Sequence, residues 1–208
     1  MRTTLLTRLV RDPEFRVRVV RFLLGHPTPL AAPDRTVLET IIFPYFQYLG
    51  DVRSVLFVGC DWYTRHYESA FFRGKDYWTI DPAPGARKFA GRQHVVAPLE
   101  ELQRHFPPQR FDLIVCNGVF GYGLNRREQC EAAFRECHAR LRDGGFLIVG
   151  WDDVPERTPV PMGEIAALGA FEKIEFPPLG TWRHVTDTPY RHTFDFYRRM
   201  PVAGVSAA

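Results

Sequence analysis

The stretch FDLIVCNGVFGYGLNRREQCEAAFRECHARLRDGGFLIVG, residues 111–150, changes its hydrophobic period twice and so decides the fold. Phe111-Asp-Leu-Ile-Val-Cys116 is a short, nearly unbroken apolar run, the pattern of a strand buried on both faces. From Arg127 the period turns helical: Cys130, Phe134, Cys137 and Leu141 share one side of a helix expected over 127–141. Asp143-Gly144-Gly145 ends it, and residues 146–150 read as a second buried strand. Strand, helix and strand in this order predict a parallel pair joined by a right-handed crossover.

The same alternation extends upstream. Ser54-Val-Leu-Phe-Val58 is a first strand closed by Gly59, and residues 62–72 read as helix. Tyr77-Trp-Thr-Ile80 is a second strand ending at Asp81-Pro82. A weak helix near 84–90, a third strand at 93–96 and a helical segment over 100–105 complete the series. Downstream, a short helix is expected over 162–168. Strands at 171–176 and 192–197 then follow with only a loop rich in Pro, Gly and Trp between them, an antiparallel ending. Ahead of the sheet, two short amphipathic helices are expected up to Gly25, restarted at Asp12-Pro13-Glu14. Pro27, Pro29 and Pro33 form a linker, and Asp34 is expected to cap a further helix through Val37, Ile41, Ile42 and Tyr45. This divides the chain into an N-terminal helical accessory or lid segment (1–33), a main α/β domain (34–200) and a flexible tail (201–208).

Composition narrows the function classes. The 208 residues are 45% hydrophobic and 25% charged, an ordinary globular balance, with 17 Phe and 8 Tyr among them. The net charge of +3 belongs to the leading segment: residues 1–25 hold six arginines against Asp12 and Glu14, which leaves the body at −1. A near-neutral body speaks against a nucleic-acid footprint. No apolar run reaches the length of a membrane span, and the start has no compact signal region, so a cytoplasmic protein without a membrane partner is expected. The four cysteines show neither CxxC nor zinc spacing, and Cys60 and Cys116 are expected to be inert thiols in a reducing compartment. The sequence gives no signal for or against self-association.

Four motifs together resemble the class I (Rossmann-like) S-adenosylmethionine (SAM)-dependent methyltransferase family, across roughly residues 35–200. They are Val55-Leu-Phe-Val-Gly-Cys60, Trp78-Thr-Ile-Asp81, Phe111-Asp-Leu-Ile-Val115 and Leu141-Arg-Asp-Gly-Gly-Phe-Leu-Ile-Val149. The resemblance implies an α/β, doubly wound, mostly parallel seven-stranded sheet of order 3-2-1-4-5-7-6, with helices on both faces and a final antiparallel strand. It also implies SAM as cofactor. In such sheets ligands bind outside the carboxyl ends of the strands where strand order reverses. Gly59 lets the backbone approach a ligand there. Asp81, about twenty residues on, is placed to accept the ribose hydroxyls, the alternative being a cap on the turn into Pro82. The adenine is expected near Ala97 to Glu100, which includes Leu99. Cys60, Asp61, Tyr63, Pro82, Asn117 and Gly118 complete the expected cofactor-binding set. This chain departs from the family's D-x-G-x-G-x-G pattern: Phe57 stands for the acid, and Asp61 and Tyr63 for the second and third glycines. Asp61 is positioned to attract an ammonium or to cap the next helix.

Methyl transfer needs alignment, exclusion of water and sometimes removal of a proton. Tyr122, in the glycine-rich loop after the fourth strand, Asp152, after the fifth, and His192 are the expected catalytic candidates. The loop from Thr181 through His184 and Asp187 to Tyr190 is expected to form a lid, and His184 is a second candidate base on it. Asp153 beside Asp152, and Trp62, His66 and Tyr67 beside Tyr63, are weighed as pocket residues against a solvated face or a ring-rich core. No metal is expected, because the acid that catechol-type relatives carry at the end of the fourth strand is absent. The leading expectation is a SAM-dependent methyltransferase acting on a small-molecule acceptor. A SAM-using enzyme that attacks the aminocarboxypropyl carbon, releasing methylthioadenosine, is the first alternative. A catalytically degenerate SAM-binding scaffold is the second.

Overall fold

The computed structural model describes residues 30–158 and 160–200; the expected N-terminal helices up to Gly25 and the expected tail at 201–208 lie outside them. One sheet organises the described chain. Its strands are β1 (Ser54–Val58), β2 (Asp76–Asp81), β3 (Gln93–Val96), β4 (Phe111–Asn117), β5 (Leu141–Asp152), β6 (Phe171–Lys173), β7 (Arg183–Val185) and β8 (His192–Arg199). Their order is β3-β2-β1-β4-β5-β8-β6, with β7 also paired to β8. The first five strands are parallel, and β8 runs antiparallel to β5 from Phe146↔Arg198 to Asp152↔His192. This is the expected order with one addition. The loop joining the two closing strands contributes β7, so the sheet has eight strands rather than seven, and β6 stops at Lys173 rather than at 176. β6 and β7 lie end to end along the free edge of β8.

Both faces of the sheet are covered because alternate strand residues are apolar on each. Leu56, Val58, Ile114, Leu147 and Val149 pack beneath Cys130, Phe134 and Cys137 of helix α4 (Arg127–Arg140). Val55, Phe57, Leu113, Val115, Phe194 and Phe196 pack on the other face against Leu38, Ile42, Phe43 and Phe46. These four belong to a continuous helical segment made of α1 (Pro33–Val37), a π turn (Leu38–Ile42) and α2 (Phe43–Tyr48). Pro44 accounts for the π turn: it has no N–H for the carbonyl four residues back, and its ring crowds that carbonyl. Phe43 N–H accordingly reaches back to the Leu38 carbonyl.

Several local expectations are corrected. Asp34 does not cap the first described helix; Ala32 precedes it without a side-chain cap, and Asp34 lies inside the first turn. The helix expected over 62–72 forms only as α3 (Tyr67–Phe71). Asp61 and Thr64 divert the chain before it: Thr64 Oγ1 donates to the Asp61 carbonyl at 2.9 Å, and Asp61 Oδ1 accepts the Trp62 N–H at 2.6 Å. Such short polar side chains compete with helical backbone bonds. The weak helices at 84–90 and 100–105 are 3₁₀ segments (Pro84–Phe89 and Leu99–Arg104), and 162–168 holds two 3₁₀ turns. α4 ends at Arg140, and β5 begins at Leu141 with a register irregularity between Phe111 and Leu113 on its partner β4. The glycine pair therefore lies within the strand rather than ahead of it. Among the described residues no helix is long and apolar enough to cross a membrane.

Candidate functional site

The carboxyl ends of β1, β2, β4 and β5 open into one cavity of about 740 Å³. Every residue proposed from sequence for cofactor binding lines it: Gly59, Cys60, Asp61, Tyr63, Asp81, Pro82, Leu99, Asn117 and Gly118. So do Tyr122, Asp152 and His192. Of the aromatic cluster at the first crossover, only Tyr63 faces it. Tyr67 is fully buried, His66 lies beside Glu39 and Trp62 packs on Tyr63, which makes these three part of the packing around the site. His184 sits on β7 and Asp153 faces Arg191 at 3.6 Å, both away from the cavity.

At one end, the turns after β1 and β2 converge on a single carboxylate. Asp81 Oδ2 accepts the Cys60 N–H at 2.8 Å and Oδ1 accepts the Ala83 N–H at 2.8 Å. Asp81 thus caps its own turn and also ties it to the turn after β1. Each carboxylate oxygen has capacity for a further donor. Gly59 enters that turn with φ +85°, where a side chain would be strained, and a Cβ would press on Val119 at 2.9 Å. Leu99, 4% exposed, forms an apolar wall, and Gln129 donates to Glu100 at 3.2 Å nearby. Burial, with Asp81 adding to it, raises the Cys60 thiol to about 12, so this cysteine stays protonated near neutral pH. Burial likewise raises the Cys116 thiol.

The other end is a connected hydrogen-bond network. Asp152, at the end of β5, is 4% exposed, and His192, opposite it on β8, is 3% exposed. His192 Nδ1 meets Asp152 Oδ1 at 2.7 Å, while Asp152 Oδ2 accepts from Tyr122 Oη at 2.9 Å and from Arg157 Nη1 at 2.7 Å. Asn117, at the end of β4, bridges His192 Nε2 and Arg35. The guanidinium can only donate, so the Asn117 oxygen faces Arg35 Nη1 and Nη2, at 3.0 and 3.3 Å, and its amide nitrogen donates to Nε2 at 3.0 Å. His192 Nε2 is therefore an acceptor, and Nδ1 carries the proton that goes to Asp152. With both nitrogens engaged, His192 is not a free base in this arrangement. Gly150 makes room for the bridge, since a Cβ there would overlap the Asn117 amide and stand 2.9 Å from His192 Nε2. Burial works to raise the Asp152 carboxyl. Hydrogen bonds from His192, Arg157 and Tyr122 outweigh it and hold the group below its ordinary value. Tyr122, 59% exposed, is shifted upward by partial burial and by its bond to Asp152, and keeps its phenolic proton.

Arg35 and Arg157 were not singled out from sequence, and Tyr190 was named only as the end of the expected lid loop. Arg35, on α1, is 6% exposed; it donates to Tyr67 Oη at 3.3 Å and Tyr63 Oη at 3.4 Å, and stacks over the Tyr63 ring at 4.5 Å. Arg157 follows β5, and Tyr190 precedes β8 with its hydroxyl donating to Asp34 at 3.3 Å. Each is a lone residue with no motif around it, and only the crossing of distant segments assigns it to the cavity.

Comparison with known proteins agrees with this architecture. Residues 56–149, a little under half of the chain, match the family model of a methyltransferase domain. No curated protein matches the sequence. Among solved structures, the N-methyltransferase NodS from Bradyrhizobium japonicum WM9 is 19% identical, with a TM-score of 0.55 over 92% of this chain and 99% of that one. The same enzyme in complex with S-adenosylhomocysteine is 20% identical, with a TM-score of 0.56 over 92% and 90%. The 1,6-didemethyltoxoflavin-N1-methyltransferase from Burkholderia thailandensis, with 1,6-didemethyltoxoflavin and S-adenosylhomocysteine bound, is 18% identical. Its TM-score is 0.53 over 84% of this chain and 93% of that one. At these identities the likeness is one of fold.

Proposed function

We propose that this chain is a class I SAM-dependent methyltransferase that takes SAM as its cofactor and methylates a small-molecule acceptor bound beside Asp152. One observation carries the proposal: the Asp81 carboxylate at the nucleoside end and the Tyr122–Asp152–His192 network face the same cavity. The two structural relatives that are small-molecule or N-methyltransferases by name support the choice of acceptor class.

The lining fits the cofactor in charge. Among the described residues, Asp34, Asp61, Asp81, Glu100 and Asp152 face the cavity against Arg35 and Arg157. An acid-rich lining favours a ligand that carries a sulfonium and an ammonium against one carboxylate. Asp81 would hold the ribose hydroxyls, Leu99 would pack on the adenine, and Gly59, Cys60 and Gly118 would give the backbone close approach. SAM supplies an electrophilic methyl group. The chain's own residues then have three tasks. Phe57, Val119 and Leu124 line the cavity with apolar surface and keep water out. Asp152, ionised, accepts hydrogen bonds from the acceptor and orients it. Tyr122, protonated, offers a hydroxyl that donates to Asp152 and can receive from an acceptor group.

Incubation with SAM and a panel of small-molecule nucleophiles, followed by mass analysis, tests this. Adenosylhomocysteine together with an acceptor heavier by one methylene is the expected result. Methylthioadenosine as the product would instead assign attack to the aminocarboxypropyl carbon, and bound SAM with no turnover across the panel would favour a scaffold.

A further inference from the structure

We infer that the acceptor end of the cavity is a cation site that holds the protein's own Arg157 in the free enzyme. The acceptor then carries an ammonium or guanidinium group that takes Arg157's place. The inference rests on the acceptor lying beside Asp152, as proposed above, and adds the charge of the group recognised.

The walls are those of a cation cage. Asp152 supplies a carboxylate 4% exposed, fixed on its other oxygen by His192 at 2.7 Å. Two tyrosine rings flank the space in front of it: the Arg157 guanidinium carbon lies 4.8 Å from the Tyr190 centroid and 6.0 Å from that of Tyr122. A carboxylate beside ring faces attracts a cation by charge and by the ring quadrupole together. Tyr190 is tied through its hydroxyl to Asp34, and Tyr122 through its own to Asp152, so both rings are anchored independently of Arg157.

The occupant differs in kind from the walls. The Arg157 side chain is 43% exposed and reaches in from a turn in which its N–H bonds the Val154 carbonyl. The carboxylate and the rings are built into strand ends and their loops; the cation arrives from the surface. If Arg157 swings out, Asp152 loses its one formal positive partner among the described residues while remaining buried. Among the described residues, five carboxylates then face the cavity against Arg35 alone, whose outer nitrogens are committed to Tyr63, Tyr67 and Asn117. An anionic acceptor would be repelled, a neutral one would leave Asp152 without its cation, and a cationic one restores the balance. Arg157 thereby acts as a competitor that a cationic acceptor displaces and a neutral or anionic molecule does not.

The test titrates the full chain, saturated with S-adenosylhomocysteine, with n-butylguanidinium, using butyrate and butanol as charge-reversed and neutral controls and calorimetry as the readout. Arg157→Ala is expected to bind butylguanidinium at least tenfold more tightly than the wild type, with no gain for butyrate or butanol. Adding Asp152→Asn is expected to abolish the gain. Arg157→Gln serves as a second variant that preserves side-chain length and should show the same direction. Equal affinity for butylguanidinium in wild type and both variants, or a matching gain for butyrate, would overturn the inference. The S-adenosylhomocysteine titration keeps the two readings apart. Its binding without a cation effect overturns the cation site and leaves the methyltransferase reading in place. A cation effect without its binding does the reverse.

Discussion

Replacing Asp81 by alanine removes the carboxylate on which the turns after β1 and β2 converge. The side chain accepts two backbone N–H groups, from Cys60 and Ala83, each at 2.8 Å. Ala83 is exposed and Cys60 half-buried, so water can replace much of what these donors lose. The expected cost to folding is therefore about 1 kcal/mol, a fall in melting temperature of roughly 2–4 °C for a chain of this size. The cost to ligand binding is larger. A hydrogen bond to a charged group contributes about 1.5–3 kcal/mol, and about 1.4 kcal/mol is a factor of ten. Loss of one ribose hydroxyl contact thus weakens affinity at least tenfold, and loss of two about a hundredfold or more. Calorimetric titration of wild type and Asp81→Ala with S-adenosylhomocysteine measures this, with melting curves as the control on folding. Asp81→Asn keeps one acceptor oxygen and should fall between them. Dissociation constants within twofold of each other, with the fold intact, would show that Asp81 only caps its turn and would refute the assignment.

Arg35→Met leaves the Tyr63 and Tyr67 hydroxyls and the Asn117 oxygen without their cationic donor. Urea denaturation should report a loss of about 2–4 kcal/mol, and ¹⁵N spectra should show His192 no longer confined to the Nδ1–H tautomer. Asp76, Asp112 and Asp152 all titrate below the ordinary carboxylate value of 3.8 in the folded chain: burial opposes this in each, and the hydrogen bonds and arginines around them prevail. Their contribution to stability is therefore complete above the unfolded pKa and lost as pH falls below it through the lower folded values. Asp112→Asn should flatten that acid limb of a stability-against-pH curve, and an unchanged limb would remove Asp112 from the set. Cys60, with its thiol raised to about 12, should react with iodoacetamide at pH 8 far more slowly than free cysteine and accelerate as pH rises further; a fast reaction at pH 8 would contradict the burial that sets its pKa.

What the sequence settled by itself is what short-range period encodes. Strands at 54–58, 111–117 and 146–150 alternate between two apolar faces, and α4 repeats its apolar side every turn, so the parallel units and their crossovers follow from local pattern and chirality. Gly59 and Asp81 were legible because strand ends in such a sheet are where ligands bind, and each closes a strand. Only the tertiary structure made β7, three residues long and without a period of its own. It forms because β8 presents a free edge there, and Asp195, fully buried on β8, holds Arg183 at 2.6 Å. It also cut the helix expected over 62–72, where side-chain bonds from Asp61 and Thr64 prevailed over propensity. The acceptor end shows the division most clearly. Asp152, Tyr122 and His192 were visible as polar residues on loops and strand ends. The Arg35–Asn117 bridge that fixes the His192 tautomer, and the Arg157–Tyr190 contact in front of Asp152, join segments more than thirty residues apart in the chain. Contacts of that span depend on how the fold brings distant segments together, and no local periodicity records them.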